Sequence, residues 1–155
     1  MKIYFDGSIR QKNPGGIAGY GWIIKTNEGI ALKSGHAIIG SGKNMTNNIA
    51  EYTGLLSALT WFVSSKYFDQ NEKLYIHGDS ALVCNMVSKK WGWEKDEKGV
   101  RTGRWTPHKD FPLLKELLNK ILEILKNKNV KYVVEWIPRE ENEDADRISD
   151  SSFVK

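Results

Sequence analysis

Four acidic residues far apart in the chain each stand where a strand end or a helix start would deliver a carboxylate: Asp6 in YFDGS, Glu51 in TNNIAEY, Asp79 in IHGDS and Asp146 in ENEDADRIS. Gathering four carboxylates in one place is unfavourable, because like charges a few ångströms apart raise one another's pKa and resist joint ionisation. Positive charge must compensate. Two Mg²⁺ ions, with Mn²⁺ as a substitute, would supply it, and a two-metal site about 4 Å across suits in-line cleavage of a phosphodiester.

Each acid also has a plainer explanation. Asp6-Gly7 and Asp79-Ser80 fit turn or N-cap chemistry. Glu51, three residues after Asn48, fits a capping box and the first turn of a helix. Asp146 fits the favourable end of a helix dipole. The metal reading rests on their joint placement, which depends on the elements between them.

Those elements are strand-like first. Lys2 to Phe5, Gly19 to Thr26 and Ile30 to Ile39 are β-prone runs, the last two parted by the turn signal Asn27-Glu28-Gly29. Asn13-Pro14-Gly15-Gly16 reads as a turn whose glycines also permit close backbone approach to a ligand. Ile49, Tyr52, Leu56, Leu59 and Val63 then repeat at the spacing of an amphipathic helix from Asn48 to about Ser65. Leu74 to Ile76 predicts a strand ending at Gly78-Asp79, followed by a helix over Ser80 to Val87. After a Trp- and Lys-rich insert come a helix over Leu113 to Leu125, a strand over Val130 to Ile137 and a polar helix from Asn142 to about Ser152.

This order predicts an α/β fold: a five-stranded mixed sheet with an antiparallel three-strand meander, two later strands parallel to the first, and flanking helices. Right-handed crossovers would set the strand ending at Asp79 beside the strand ending at Asp6, so both aspartates emerge at one sheet edge, where α/β sheets bind ligands. Helix starts carrying Glu51 and Asp146 can reach the same crevice.

The 155 residues suit one domain. Cys84 is the only cysteine, which excludes an intramolecular disulfide, and it reads as a small buried hydrophobe. The start MKIYFDGS lacks a secretory apolar core and no later run approaches a membrane span, so a cytoplasmic protein without membrane contact is expected. Net charge is +4. Residues 89–109 hold seven Lys and Arg against three Asp and Glu, a surplus of four that equals the whole excess. Such a patch fits a polyanionic partner, as it fits a solvated loop. His36, His77 and His108 show no ligand spacing.

Asp6-Gly7-Ser8, the Asn13 to Gly16 loop, Thr46-Asn47-Asn48-Ile49-Ala50-Glu51, Gly78-Asp79-Ser80 and Asn142-Glu143-Asp144-Ala145-Asp146 together resemble type 1 ribonuclease H in order and spacing, over nearly the whole chain. The resemblance implies a ribonuclease H-like fold and endonucleolytic hydrolysis of the RNA strand of RNA/DNA hybrids, leaving 3′-hydroxyl and 5′-phosphate ends. It implies that Asp6, Glu51, Asp79 and Asp146 are the catalytic, metal-binding acids, with Asp6 shared between two Mg²⁺.

Asn13, Asn47 and Asn48 are candidates for reading RNA 2′-hydroxyls. Thr46 resembles the family's phosphate-holding threonine, and it also fits a helix cap. Lys89, Lys90, Trp91, Trp93, Arg101 and Arg104 resemble the family's basic protrusion, with Trp105 as an anchor of it. A monomer suffices. Many bacterial members carry a histidine in the loop before the last acid; here the loop reads Pro138-Arg139-Glu140-Glu141, which leaves that role to Glu140, Glu141 or solvent. A hybrid-binding module without activity and a resolvase- or integrase-like nuclease of the same fold are the competing readings.

Overall fold

The central strand β1 (Lys2–Arg10) pairs on both sides, antiparallel with β2 (Gly15–Lys25) and parallel with β4 (Lys73–Gly78). A computed structural model describes residues 1–153. Beyond β2 lies antiparallel β3 (Ala31–Gly42), and beyond β4 lies parallel β7 (Lys131–Trp136), giving the sheet order β3-β2-β1-β4-β7. This is the predicted mixed sheet. Four helices flank it: α1 (Asn47–Val63), α2 (Ala81–Val87), α3 (Pro112–Asn127) and α4 (Glu143–Ser151).

Three local expectations are corrected. Asp6-Gly7 is not a turn: β1 continues four residues past Asp6, because β2 supplies partners as far as Arg10. The N-cap of α1 is Thr46, whose hydroxyl accepts from Ile49 N at 3.2 Å, so Asn48 lies inside the helix and no Asn48–Glu51 capping box exists. Glu51 is consequently the fifth helical residue and falls beyond the first turn. The insert, for which no strand was expected, forms a hairpin of β5 (Trp93–Lys95) and β6 (Arg101–Trp105), closed where Asp96 Oδ1 accepts from Lys98 N and Val100 N.

The main core lies between the sheet and α1, α2 and α3. Ile3, Phe5, Ile24, Leu74 and Ile76 meet Tyr52, Leu55, Leu59, Val83, Leu118 and Ile121, all fully enclosed. Each such side chain contributes about 1.5–3 kcal/mol by leaving water. Pro112 opens α3 at a position where its missing N–H costs nothing. The opposite face is covered by α4, which lies mainly over β2 and β1 and reaches β3, through buried Ala145 and Ser149.

Two glycines set the helices close to the sheet. A Cβ at Gly7 would fall 2.4 Å from Glu51 N, and one at Gly21 would fall 2.2 Å from Ser149 N. Neither position tolerates a side chain, so the backbones of α1 and α4 pack directly onto β1 and β2 and bring their acids beside Asp6 in the middle of β1. Among the described residues, no helix is long and apolar enough to cross a membrane.

Candidate active site

Alternation along β1 sends Asp6 to the α4 face and Gly7 to the α1 face, and the absent side chain at Gly7 lets Glu51 come in from α1. Asp79 follows the last residue of β4 and precedes Ser80, which caps α2 by accepting from Val83 N at 3.2 Å. Capping therefore falls to Ser80, so the Asp79 carboxylate is not spent on the α2 N-terminus. Carboxylate oxygens of Asp6, Glu51 and Asp79 all lie within 4.8 Å of one another. Asp146, in the first turn of α4, lines the same cavity of about 510 Å³, and its Oδ1 is 3.8 Å from Arg139 Nη2.

Burial and mutual repulsion act in the same direction here. Desolvation, followed by the neighbouring Asp79, pushes the Asp6 carboxyl up to about 8. Glu51, enclosed in the core, is raised well above the carboxylate range by burial and then by Asp6. Asp79 is raised by burial, an effect opposed by a hydrogen bond from Asn142. Glu51 Oε2 is buried without a hydrogen-bond partner among the described residues. Buried carboxylate oxygens normally have one. Three close, hard oxygen donors with an unpaired buried member fit a hard divalent cation.

The acids are braced by neighbours whose roles the sequence did not reveal. Asn142 Nδ2 donates to the Phe5 carbonyl at 2.9 Å and to Asp79 Oδ2 at 3.3 Å, tying the start of α4 to both β1 and Asp79. Trp136 Nε1 donates to the Asp79 carbonyl at 3.1 Å, and Ile137 N donates to the Gly78 carbonyl at 2.9 Å. An asparagine four residues before the last acid is the one available signal, and its spacing alone states no role.

Asn13 and Asn47 also line the acidic cavity, joined by a hydrogen bond from Asn47 N to Asn13 Oδ1 at 3.3 Å. Thr46 and Asn48 are half-buried beside it, outside the cavity lining. In the loop before Asp146, Arg139 lines the cavity. Glu140 and Glu141 instead line a second cavity of about 190 Å³ with Tyr4 and Lys25.

Residues 89–109 contribute nothing to the lining of the acidic cavity. Lys90, Trp91, Trp93 and Arg101 line a separate cavity of about 450 Å³. Within the hairpin, Trp93 Nε1 donates to the Lys89 carbonyl at 2.6 Å and Trp105 Nε1 to the Trp91 carbonyl at 2.8 Å. Both rings are anchors, whereas Trp91 is 46% exposed. The Lys89 ammonium lies 4.8 Å from the Trp105 ring centroid, Arg101 donates to the Lys90 carbonyl at 2.9 Å, and Arg104 lies 3.5 Å from Glu94.

A family model described as "Reverse transcriptase-like" matches residues 4–152. The chain is 31% identical over 120 residues to a ribonuclease H of Lachnoclostridium phytofermentans, covering 76% of this chain and 70% of that protein. Its fold superposes on RNase H1 of the halophilic archaeon Halobacterium salinarum NRC-1 with a TM-score of 0.73, at 26% identity, over 97% of this chain and 95% of the other. The compost-derived LC11-RNase H1, solved in complex with an RNA/DNA hybrid, gives a TM-score of 0.76 at 28% identity, over 97% and 94% of the two chains. The chain belongs to the type 1 ribonuclease H family. As a ribonuclease H it is an endoribonuclease. Within that family its loop before the last acid carries Arg139, rather than a histidine, against the acidic cavity.

Proposed function

We propose that this ribonuclease H hydrolyses the RNA strand of RNA/DNA hybrids endonucleolytically, leaving 3′-hydroxyl and 5′-phosphate ends, at a two-metal site formed by Asp6, Glu51, Asp79 and Asp146. The observation that carries this reading is the meeting of three buried or half-buried carboxylates within 4.8 Å, in a cavity that the fourth also lines. Two Mg²⁺, with Mn²⁺ as a substitute, would bind there and supply Lewis-acid activation of water and neutralisation of the departing oxygen's charge.

The chain's own residues hold that chemistry in place. Asp6 lies nearest the centre of the group, neighboured by Glu51, Asp79 and Asp146, and is the residue suited to be shared between the ions. Asn142 and Trp136 fix Asp79 at its carboxylate and its carbonyl. The polar cavity wall formed by Asn13 and Asn47 suits 2′-hydroxyls presented by an RNA strand, with Asn48 beside it. Thr46, whose hydroxyl caps α1 as an acceptor, retains its O–H for a phosphate.

Residues 89–109 act as a basic protrusion of a single domain spanning residues 1–155. Lys89, Lys90, Trp91 and Arg101 offer the exposed phosphate- and sugar-contacting groups, and Trp93 and Arg104 shape the hairpin that presents them. The enzyme works as a monomer in the cytoplasm.

The test is cleavage of a hybrid labelled on either strand, in Mg²⁺ and in EDTA, with Asp6→Asn as control. Metal-dependent cutting of the RNA strand alone, absent in the variant, is expected. Hybrid binding without cutting in Mg²⁺ or Mn²⁺ would establish a binding module instead, and preference for a four-way junction would establish a resolvase-like enzyme.

A further inference from the structure

The acidic cavity extends beyond the metal-binding acids, along the strand that carries Asp6. Asp6, Ser8 and Arg10 alternate onto the α4 face of β1, where Ser8 Oγ meets Ser149 Oγ at 2.7 Å and Arg10 Nη2 donates to Asp150 Oδ1 at 2.8 Å. Arg10 and Asp150 both line the cavity. Among the described residues, five acids line it (Asp6, Glu51, Asp79, Asp146 and Asp150), and Arg10 and Arg139 are the only basic residues that do. A polyanionic strand entering this cavity meets Arg10 about 13 Å along β1 from Asp6, four residues at strand rise, well away from the reacting phosphate.

Arg10 is only partly engaged in the free protein. Among the described residues its side chain makes one hydrogen bond, and half of its surface is exposed. Its guanidinium lies 4.7 Å over the Phe153 ring, a contact that occupies a face and leaves the in-plane N–H fork available. A guanidinium with unused in-plane donors suits the bidentate geometry of a phosphate.

Resting on the proposed function, we infer that Arg10 is a phosphate-binding residue for the hybrid, and that Asp150 competes with the backbone phosphate for it. In the free enzyme Asp150 and Phe153 hold the side chain over the cavity. On binding, a phosphate takes up the free donors and the Asp150 contact loosens. The pair would then set affinity for substrate rather than the rate of chemistry, and its two members would have effects of opposite sign.

The experiment measures anisotropy of a fluorescent RNA/DNA hybrid in Ca²⁺, over about 50 to 300 mM salt, beside KM and kcat in Mg²⁺. Arg10→Gln is expected to weaken binding about three- to tenfold, to reduce the salt slope by about 1, and to act on KM more than on kcat. Arg10→Lys should keep the slope. Asp150→Asn should tighten binding about two- to fivefold, and clearly less when Arg10 is already Gln. A thermal melt of each variant separates binding from folding. If Arg10→Gln lowers the melting temperature but leaves the salt slope at the wild-type value, the pair is a clamp on α4 and the inference falls. Wild-type protein that neither binds nor cuts the hybrid would overturn the proposed function itself, and this inference with it.

Discussion

The acidic cavity and the basic hairpin oppose each other in charge, and they differ equally in how they are built. The cavity's acids sit on β1, α1 and α4 and just after β4, with α1 and α4 packed backbone against backbone on the sheet at Gly7 and Gly21 and with Asp6 and Glu51 almost wholly out of water. The hairpin is a two-stranded ribbon held by its own indoles, with its cations largely in solvent. A charge in the first region is expensive and fixed, so changing it alters chemistry and stability together. A charge in the second is screened and replaceable, so changing it alters affinity.

The sharpest break in that comparison is Asp6→Asn or Asp79→Asn. Either should lower hybrid cleavage by about a thousandfold or more, because charge at the proposed metal site is lost with little change of shape, while hybrid binding in Ca²⁺ persists. Ordinary turnover in single-turnover assays of either variant would defeat the metal assignment. In the hairpin, Lys89→Ala, Lys90→Ala and Arg101→Ala combined should weaken binding about ten- to a hundredfold and flatten the salt slope by about 2 to 3, with kcat nearly kept. Loss of kcat as large as the loss of affinity would place the hairpin in the chemistry.

Stability should move in the opposite sense to activity at the acids. Without metal, Asp79→Asn removes a neighbour that repels Asp6 and Glu51, and should stabilise the protein by on the order of 1–2 kcal/mol, or roughly 2–8 °C in Tm. The hairpin triple variant should leave Tm almost unchanged. Unaltered Tm in Asp79→Asn would show that water already relieves the repulsion.

The same cluster fixes the sign of a pH effect. The folded Asp6 carboxyl, near 8, lies above its ordinary 3.8, so the metal-free native state holds more protons than the unfolded chain between those values. That contribution is complete below about 4 and is lost as pH rises through about 8; Tm in EDTA should fall from pH 5.5 to 8.5, and Mg²⁺ should diminish the fall. Asp144 behaves oppositely and more weakly. The Lys25 ammonium 2.6 Å away holds its carboxyl below the ordinary value, so that contribution is present above about 4 and fades as pH falls further. Lys25→Met should slightly soften the acid edge of the stability profile.

The five sheet strands and four helices were legible from local patterns of differing length: Ile49 through Val63 repeats cleanly at helical spacing, and Leu74 through Ile76 is a short apolar run with a strong stop after it. Boundaries were less so. Whether Asp6-Gly7 turns or continues depends on Ala18 to Gly21 lying opposite, and those partners are eleven or more residues away. The hairpin was hidden because its strands are three and five residues long and mostly polar, held by Trp93 and Trp105 donating to carbonyls rather than by a pattern of burial.

By itself the sequence determined which residues could bind metal, the order of elements that must carry them, and the concentration of positive charge in residues 89–109. Composition and period are local properties, and a chain states them before it folds. Only the tertiary structure decided that Asp6, Glu51 and Asp79 share one site within 4.8 Å, and that Asn142 and Trp136 hold Asp79 there. It also decided that Arg139, rather than Glu140 or Glu141, faces the acids, and that Arg10 joins their cavity through Asp150. These are distances between residues up to 140 positions apart in sequence, set by sheet register and by the close approach of helices to β1, and no local pattern encodes them.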